Sequence, residues 1–234
     1  MPDKEKVRQM FDDISSDYDA LNHIMSLNAD RNWRRRAIRR LLSPAGDRQI
    51  LDLACGTGDF AISMAHRMTE GSHITGVDLS EGMLDVMRSK VSAMHLDEKI
   101  DIRIGEGEKL DFADGTFDAV SIAFGIRNFE DREQSLREVL RVLKPGGTLL
   151  ILELSEPENA AVRWFYNIYF TRLMPLIGKA VSGNGTAYRY LPASVISFPH
   201  KDSWMQTMRE CGFSDVRHKA FSFGICRMYT GRKL

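Results

Sequence analysis

Leu51-Asp-Leu-Ala-Cys-Gly-Thr-Gly-Asp-Phe60 is the stretch on which the fold turns. The apolar run at residues 49–54 predicts a short buried strand, Gly56-Thr-Gly58 a tight turn, and residues 59–68 a helix. Strand, glycine turn and helix together let a main chain approach a ligand closely, because glycine takes left-handed backbone angles and has no Cβ. Gly56, Gly58 and Ala61 also satisfy the dinucleotide spacing G-x-G-x-x-A. By itself the turn says only that something nucleotide-like binds.

Working outward, strands and helices alternate. Strands are predicted at residues 73–79, 100–105, 117–124 and 148–154, and helices at 80–94 and 131–143. Ser80 is a good N-cap with Glu81 in the first turn, and Lys144-Pro-Gly-Gly147 is expected to stop the preceding helix and turn the chain. A helix at residues 202–211 and β-like runs at 215–221 and 225–229 close the chain. The pattern predicts an α/β fold: a Rossmann-like, mostly parallel seven-stranded sheet with helices on both faces. It carries an N-terminal helical segment and a helical insertion before the last helix and strands. One domain over 1–234 is expected, with a helical cap at 1–45, a cofactor-binding core at 46–155, a lid or substrate insertion at 156–200 and a C-terminal helix with strands at 201–234.

Composition narrows the function classes. The chain has 234 residues, 43% apolar and 27% charged, which allows a sizeable core. Formal net charge is zero, so a general nucleic-acid binder is not expected. Cys55, Cys211 and Cys226 show neither a CxxC pair nor metal-ligand spacing; they predict buried thiols in a reducing cytosol and no metal site. The first 13 residues are charged throughout, which predicts no signal peptide. The most apolar stretch, residues 164–181, is interrupted by Asn167, Arg172, Pro175 and Lys179, which argues against a spanning helix.

Charge then discriminates between ligands. Asp78 ends the second strand, where a carboxylate accepts from a ribose diol. Asp52 and Asp59 flank the glycine turn, where a pyrophosphate would meet two carboxylates. S-adenosylmethionine brings an ammonium and a sulfonium and no phosphate. At ~4 Å and an effective dielectric of ~20 each such contact is worth roughly 4 kcal/mol, so the acids favour the sulfonium cofactor over NAD. Thr57 lies within the turn, and Glu106 and Gly107, in the acidic loop after the third strand, are expected against the adenine, with a plain surface loop as the alternative.

These residues resemble the class I methyltransferases. Phe11-Asp-Asp-Ile-Ser-Ser-Asp-Tyr-Asp-Ala-Leu-Asn22, Phe124-Gly-Ile-Arg-Asn128, Leu152-Glu-Leu-Ser-Glu-Pro157, Tyr188-Arg-Tyr-Leu191 and Phe223-Gly-Ile225 narrow the likeness to the ubiquinone/menaquinone biosynthesis C-methyltransferases, over residues 4–231. The resemblance implies methylation of a ring carbon on a polyprenyl quinol, with cofactor contacts at Thr57, Asp78, Glu106 and Gly107. Two departures stand out. Ala123 replaces a serine contact, and Asn28-Ala-Asp30 replaces the common Gly-x-His; Asn tolerates positive φ nearly as glycine does, so the turn is expected to survive.

Carbon methylation needs an electron-rich ring carbon in line with the sulfonium methyl, and loss of a quinol hydroxyl proton supplies it. Arg127 is expected to stabilise the developing quinolate, Asn128 to orient it, and one of Asp17, Tyr18 and Asp19 to act as base or orienter. Arginine itself is too basic to serve as the base. The aromatic insertion at 164–191, rimmed by Arg172 and Lys179, suits a polyprenyl tail or a membrane surface, with ordinary helix packing as the equal alternative. Arg31, Arg34, Arg35, Arg36, Arg39 and Arg40 cover a helix around Trp33, read as a solvated face with anionic lipid or RNA as the alternative. His200 is read as surface. The expected location is cytoplasmic with a peripheral contact at the inner face of the membrane; whether the chain is a monomer or a homodimer is left open. The acceptor expected is a demethylmenaquinol, with a methoxybenzoquinol as the alternative. An NAD-dependent oxidoreductase, an RNA methyltransferase and a non-catalytic cofactor-binding subunit are the competing readings.

Overall fold

The run at residues 49–54 forms β1 (Gln49–Leu53), and its last four residues are buried. β1 pairs in parallel with β2 (His73–Asp78) on one side and β4 (Phe117–Ala123) on the other. β3 (Ile100–Ile104) lies beyond β2 and β5 (Leu143–Leu154) beyond β4, both parallel. β7 (Cys226–Arg232) runs antiparallel to β5 and to the edge strand β6 (Ser214–Phe221). The order β3-β2-β1-β4-β5-β7-β6 is the seven-stranded, mostly parallel sheet that the alternation predicts. The computed structural model describes residues 3–43, 45–169 and 185–234. Arg172 and Lys179, the expected rim of the insertion, lie outside the described residues.

Three helices precede the sheet: α1 (Lys4–Ile14), α2 (Tyr18–Met25) and α3 (Ala29–Leu41). α4 (Asp59–Ala65), α5 (Glu81–Ala93) and α6 (Arg132–Val142) connect strands. α7 (Ala160–Ile168) and α8 (Gly185–Ser197) belong to the insertion, and α9 (Asp202–Glu210) leads into β6. Their starts follow the caps in the sequence. Ser80 Oγ accepts from Met83 N–H before α5, and Asp131 accepts from Gln134 N–H before α6. Asn28, at φ 60°, takes the left-handed conformation ahead of α3, as expected where it replaces glycine.

β5 shows why the sheet is covered on both faces. Leu150 and Leu152 join a cluster with Ile38, Leu41, Phe60 and Met87, while Leu149 and Ile151 join Leu136, Val139, Trp204 and Met208 on the other face. In α3, Trp33, Ala37, Ile38 and Leu41 are buried, the face read from the sequence. One expectation needs correction. Lys144-Pro-Gly-Gly147 does not sit between helix and strand but inside β5, where the register against β4 shifts. Gly146 at φ 77° takes up the bulge, and a Cβ on Gly147 would meet Lys144 O at 2.8 Å.

The chain leaves β1 toward β2 on one side, while β4 lies on the other. This is the topological switch point, and it opens a crevice beyond the carboxyl ends of the strands.

Candidate functional site

Three adjoining hollows occupy that crevice, and Tyr18 and Phe124 line all of them. Backbone strain is concentrated here: Ala54 and Phe124, just past β1 and β4, are left-handed at φ 55° and 62°.

The first hollow is a cleft lined by Gly56, Asp78, Glu106, Gly107, Ala123 and Asn128. Gly58 is forced: it has φ 83°, and a Cβ there would come within 2.5 Å of Met87 Cγ. Gly56 N–H donates to Asp78 Oδ2 at 2.8 Å and Ser80 N–H to Oδ1 at 2.9 Å, which fixes the carboxylate at the end of β2. Burial raises the Asp78 pKa, and those two N–H groups oppose it. α1 forms the outer wall. Its Asp12 accepts from Ser80 Oγ at 2.5 Å and Gly82 N–H at 3.1 Å, and its Lys4 pairs with Glu106.

The second, smaller hollow lies under the glycine turn. Asp52 Oδ1 accepts from Ser121 Oγ at 2.6 Å, but its buried Oδ2 has no hydrogen-bond partner among the described residues. Burial pushes this carboxyl up to about 7, against the Ser121 hydrogen bond. Asp59 behaves differently from the expectation that it offers free charge to a cofactor. Its oxygens are held by Arg34 and Lys90, both at 2.6 Å, and although burial acts the other way, these cations lower its pKa. The electrostatic case for a cationic ligand therefore rests on Asp52. Thr57 is buried, and its hydroxyl donates to Asp19 at 2.5 Å.

The third hollow is a cavity of about 400 Å³ between the N-terminal helices and α7, walled by Trp33, Leu154, Val162, Phe165, Tyr166 and Leu191. Arg127 reaches its lining from the single-turn 3₁₀ helix Ile126–Asn128. The guanidinium is held by Glu153 at 2.6 Å, the Phe124 carbonyl at 2.5 Å and Ser194 Oγ at 3.3 Å. Burial disfavours its charge, but the Glu153 carboxylate outweighs that and raises the pKa. Tyr18 is raised by burial, with Arg127 pulling the other way. Asn128 faces the cleft instead, with its Oδ1 accepting from Tyr190 OH at 3.1 Å. Asp30 also lines this cavity.

The structure thus brings together Tyr18, Arg127 and Asn128 at the meeting of the hollows, and Asp52, Gly56, Thr57, Asp78, Glu106 and Gly107 around the other two, while Gly58 lines neither and shapes the turn behind them. Asp19 lies away from the cavity: its carboxylate is occupied by Thr57 and by Lys90 at 2.6 Å. His200 is half-buried rather than on the surface, with Nε2 on the Val195 carbonyl at 3.0 Å because Phe198 packs against its ring. The three cysteines are buried thiols. Residues to which the sequence assigns no role include Glu153, Lys90 and Asp30. Their signals were a lone acid in an otherwise apolar strand and, for Asp30, the i,i+4 spacing to Arg34.

The family model described as "ubiE/COQ5 methyltransferase family" matches residues 2–233. The chain belongs to that family. It is 45% identical to the demethylmenaquinone methyltransferase of Bacteroides fragilis, over 98% of this chain and 93% of the relative. It is also 45% identical to the ubiquinone/menaquinone biosynthesis C-methyltransferase UbiE of Geobacter sulfurreducens, over 98% and 89%, and 44% identical to the demethylmenaquinone methyltransferase of Thermus thermophilus, over 95% and 99%. Among solved structures, a SAM-dependent methyltransferase from Thermotoga maritima, described as a possible histamine N-methyltransferase, superposes with a TM-score of 0.66 at 17% identity, over 97% of this chain and 99% of that one; it confirms the fold. The dinucleotide reading of Gly56-x-Gly58-x-x-Ala61 gives way. This methyltransferase uses S-adenosylmethionine, and its residues fit that cofactor. Asp52 keeps a buried oxygen with no hydrogen-bond partner among the described residues, and the Asp78 carboxylate is fixed at the end of β2.

Among the described residues no helix is long and apolar enough to cross a membrane.

Proposed function

We propose that this methyltransferase transfers a methyl group to a ring carbon of a polyprenyl naphthoquinol, converting a demethylmenaquinol to a menaquinol. The observation that carries the reading is the shared wall: the cofactor cleft and an apolar, aromatic cavity meet at Tyr18 and Phe124, with the Arg127 guanidinium facing the cavity side. The names of the bacterial relatives support a quinone acceptor.

S-adenosylmethionine, when bound, supplies an electrophilic methyl group on a positively charged sulfur. The protein's part is to hold and polarise. Asp52 takes the ammonium of the amino-acid end, and Arg34, whose buried Nε lacks a partner among the described residues, takes its carboxylate. Asp78 holds the ribose, with Glu106 and Gly107 against the adenine. Arg127 places positive charge beside the quinol oxygen as it becomes a quinolate, and its rigid clasp by Glu153 avoids reorganisation during the reaction. Asn128, oriented by Tyr190, closes the wall between the two reactants. Holding both in line contributes up to about 7–11 kcal/mol in the best cases.

Residues 1–45 act as a cap over the cofactor, and α7 with α8 wall the acceptor site. At the cavity's rim Leu27, Phe165 and the nearby Phe223 are 77%, 67% and 80% exposed. Arg31 and Arg35 are exposed on the adjoining turns of α3. An apolar rim beside cations suits the inner face of an anionic membrane, from which a prenyl tail can enter. Vesicles with and without anionic lipid test the contact: negligible sedimentation in both removes it.

The acceptor is tested with labelled S-adenosylmethionine and either reduced demethylmenaquinone or a 2-polyprenyl-6-methoxy-1,4-benzoquinol. Preferential methylation of the naphthoquinol is expected. Faster methylation of the benzoquinol would reverse the assignment.

A further inference from the structure

The cavity reserved for the acceptor holds two arginines, Arg34 and Arg127, and among its described lining residues a single carboxylate, Asp30. Asp30 is 3% exposed, yet nothing in the cofactor's chemistry calls for it. Buried carboxylates are usually neutralised by a direct partner. This one is held mainly by hydrogen bonds. Ser26 Oγ donates to Oδ1 at 2.6 Å, His23 Nδ1 meets Oδ2 at 2.9 Å, and the guanidinium of Arg34 stands off at 3.7 Å because its short contact goes to Asp59. His23 is itself backed by Asp59, at 3.6 Å from Nε2. His23 lies in the last turn of α2, Ser26 caps that helix and left-handed Asn28 leads into α3, so the bend at 26–28 turns Asp30 back onto both partners.

Of the other carboxylates near the crevice, Asp52 and Asp78 are taken by the cofactor in the reading above, and four more are held by protein partners. Asp19 is bound by Lys90 and Thr57, Asp59 by Arg34 and Lys90, Glu153 by Arg127, and Glu106 by Lys4. Tyr18 has its ionisation suppressed by burial.

We infer that Asp30 is the proton acceptor for the quinol hydroxyl, with His23 and Ser26 as its positioning residues. The inference rests on the quinol reading above. The quinol O–H proton passes to Asp30 Oδ1, directly or by exchange through the Ser26 hydroxyl that already donates to it. The oxygen's electron pair moves into the ring, the ring carbon bonds to the methyl carbon, and the S–CH₃ bond breaks with its pair left on sulfur. The methylated carbon then loses its hydrogen as a proton to solvent, the ring regains aromaticity, and Asp30 returns its proton to the oxygen. One proton is released overall. Arg127 faces the oxygen while it is anionic, so the acid takes the proton and the cation holds the charge.

Two experiments test this with the full chain. In the first, Asp30→Asn keeps the shape and the Ser26 and His23 contacts but cannot accept a proton. Methyl transfer to a short-chain reduced demethylmenaquinone is expected to fall at least ~100-fold, with S-adenosylmethionine affinity within twofold of the wild type. Formate is expected to restore turnover in Asp30→Ala, which a purely structural role would not allow. Asp30→Asn within threefold of wild-type turnover overturns the assignment. The second needs no cofactor or turnover. 2-Naphthol is a photoacid whose excited state emits as naphtholate only when a proton acceptor touches its hydroxyl. Bound to the wild-type protein it is expected to emit as naphtholate, and as naphthol in Asp30→Asn. Neutral emission from the wild-type complex overturns the assignment. Should the wild type neither methylate a quinol nor bind 2-naphthol, the acceptor reading fails instead, and the two failures are told apart.

Discussion

The Thr57 hydroxyl donates to the Asp19 carboxylate at 2.5 Å, tying the glycine turn to the second helix. Lys90 completes the clasp: its Nζ reaches Asp19 and Asp59 at 2.6 Å each and the Thr57 carbonyl at 3.0 Å. One ammonium on α5 therefore holds the N-terminal helices against the floor of the cofactor site. Asp19→Asn and Lys90→Met should loosen the cap before they unfold the domain. Amide hydrogens of α2 are expected to exchange at least ~10-fold faster, for a loss of about 1–3 kcal/mol of local stability. S-adenosylmethionine should dissociate faster while the sheet amides keep their protection. Unchanged exchange in α2 would show that the helix is held by packing alone.

Asp52 sets the pH dependence. Burial, opposed by its hydrogen bond to Ser121, pushes its carboxyl up to about 7 in the folded chain, against about 4 when unfolded. A raised folded pKa means that its contribution to stability is full below about pH 4 and is lost as the pH rises through 7. A shift of that size corresponds to about 4 kcal/mol. Asp52→Asn should flatten the stability profile and make the cofactor-free protein more stable than the wild type at pH 8. Binding works in the opposite direction. A cationic ligand needs the carboxylate, so cofactor affinity should climb as the pH rises through 7, with proton release below it. Calorimetry in buffers of different ionisation heat reads that release directly, and a pH-independent affinity would remove Asp52 from the ammonium site.

Gly58 gives a steric test. Its φ of 83° and the 2.5 Å approach of Met87 Cγ to a built Cβ oppose any side chain. Met87 is fully buried, so it has little room to yield. Gly58→Ala should cost about 2–4 kcal/mol, from left-handed strain together with overpacking. An unfolding midpoint equal to the wild type would mean that the turn tolerates a Cβ.

The frame of the protein was legible because it depends on local signals. The apolar run before Gly56, the N-cap Ser80 and the two-sided apolar strand ending at Leu154 each act within a few residues. The glycine turn also pointed to the crevice, since Gly56 lines two of its hollows. What escaped depends on partners distant in sequence. Asp59 looked like a free acid beside the turn, and only folding brings Arg34 and Lys90 onto it. Trp33 Nε1 donates to Ser222 Oγ across 189 positions, which no periodicity announces. Glu153 could have been noticed, since a single charge in Thr148–Leu154 demands a buried counter-ion, but the sequence does not say that Arg127 supplies it. The bulge at Lys144–Gly147 was hidden because Pro-Gly-Gly reads the same in a turn and in a strand that changes register.

The Arg127–Glu153 pair separates structure from chemistry. The two side chains are 6% and 0% exposed, and Glu153 Oε1 also accepts from the Leu154 N–H. Removing the arginine alone leaves a buried carboxylate without its counter-ion, which should cost about 3–5 kcal/mol. Arg127→Met is therefore expected to lower the unfolding midpoint sharply, and its loss of methyl transfer would say little about mechanism. Arg127→Met combined with Glu153→Leu removes both charges and extends the apolar character of β5. The double variant should recover most of the lost stability. If Arg127 acts on the developing quinolate, methyl transfer in this refolded background should still be at least ~100-fold down with cofactor affinity near the wild type. Turnover that returns together with stability would reduce Arg127 to the structural counter-ion of Glu153.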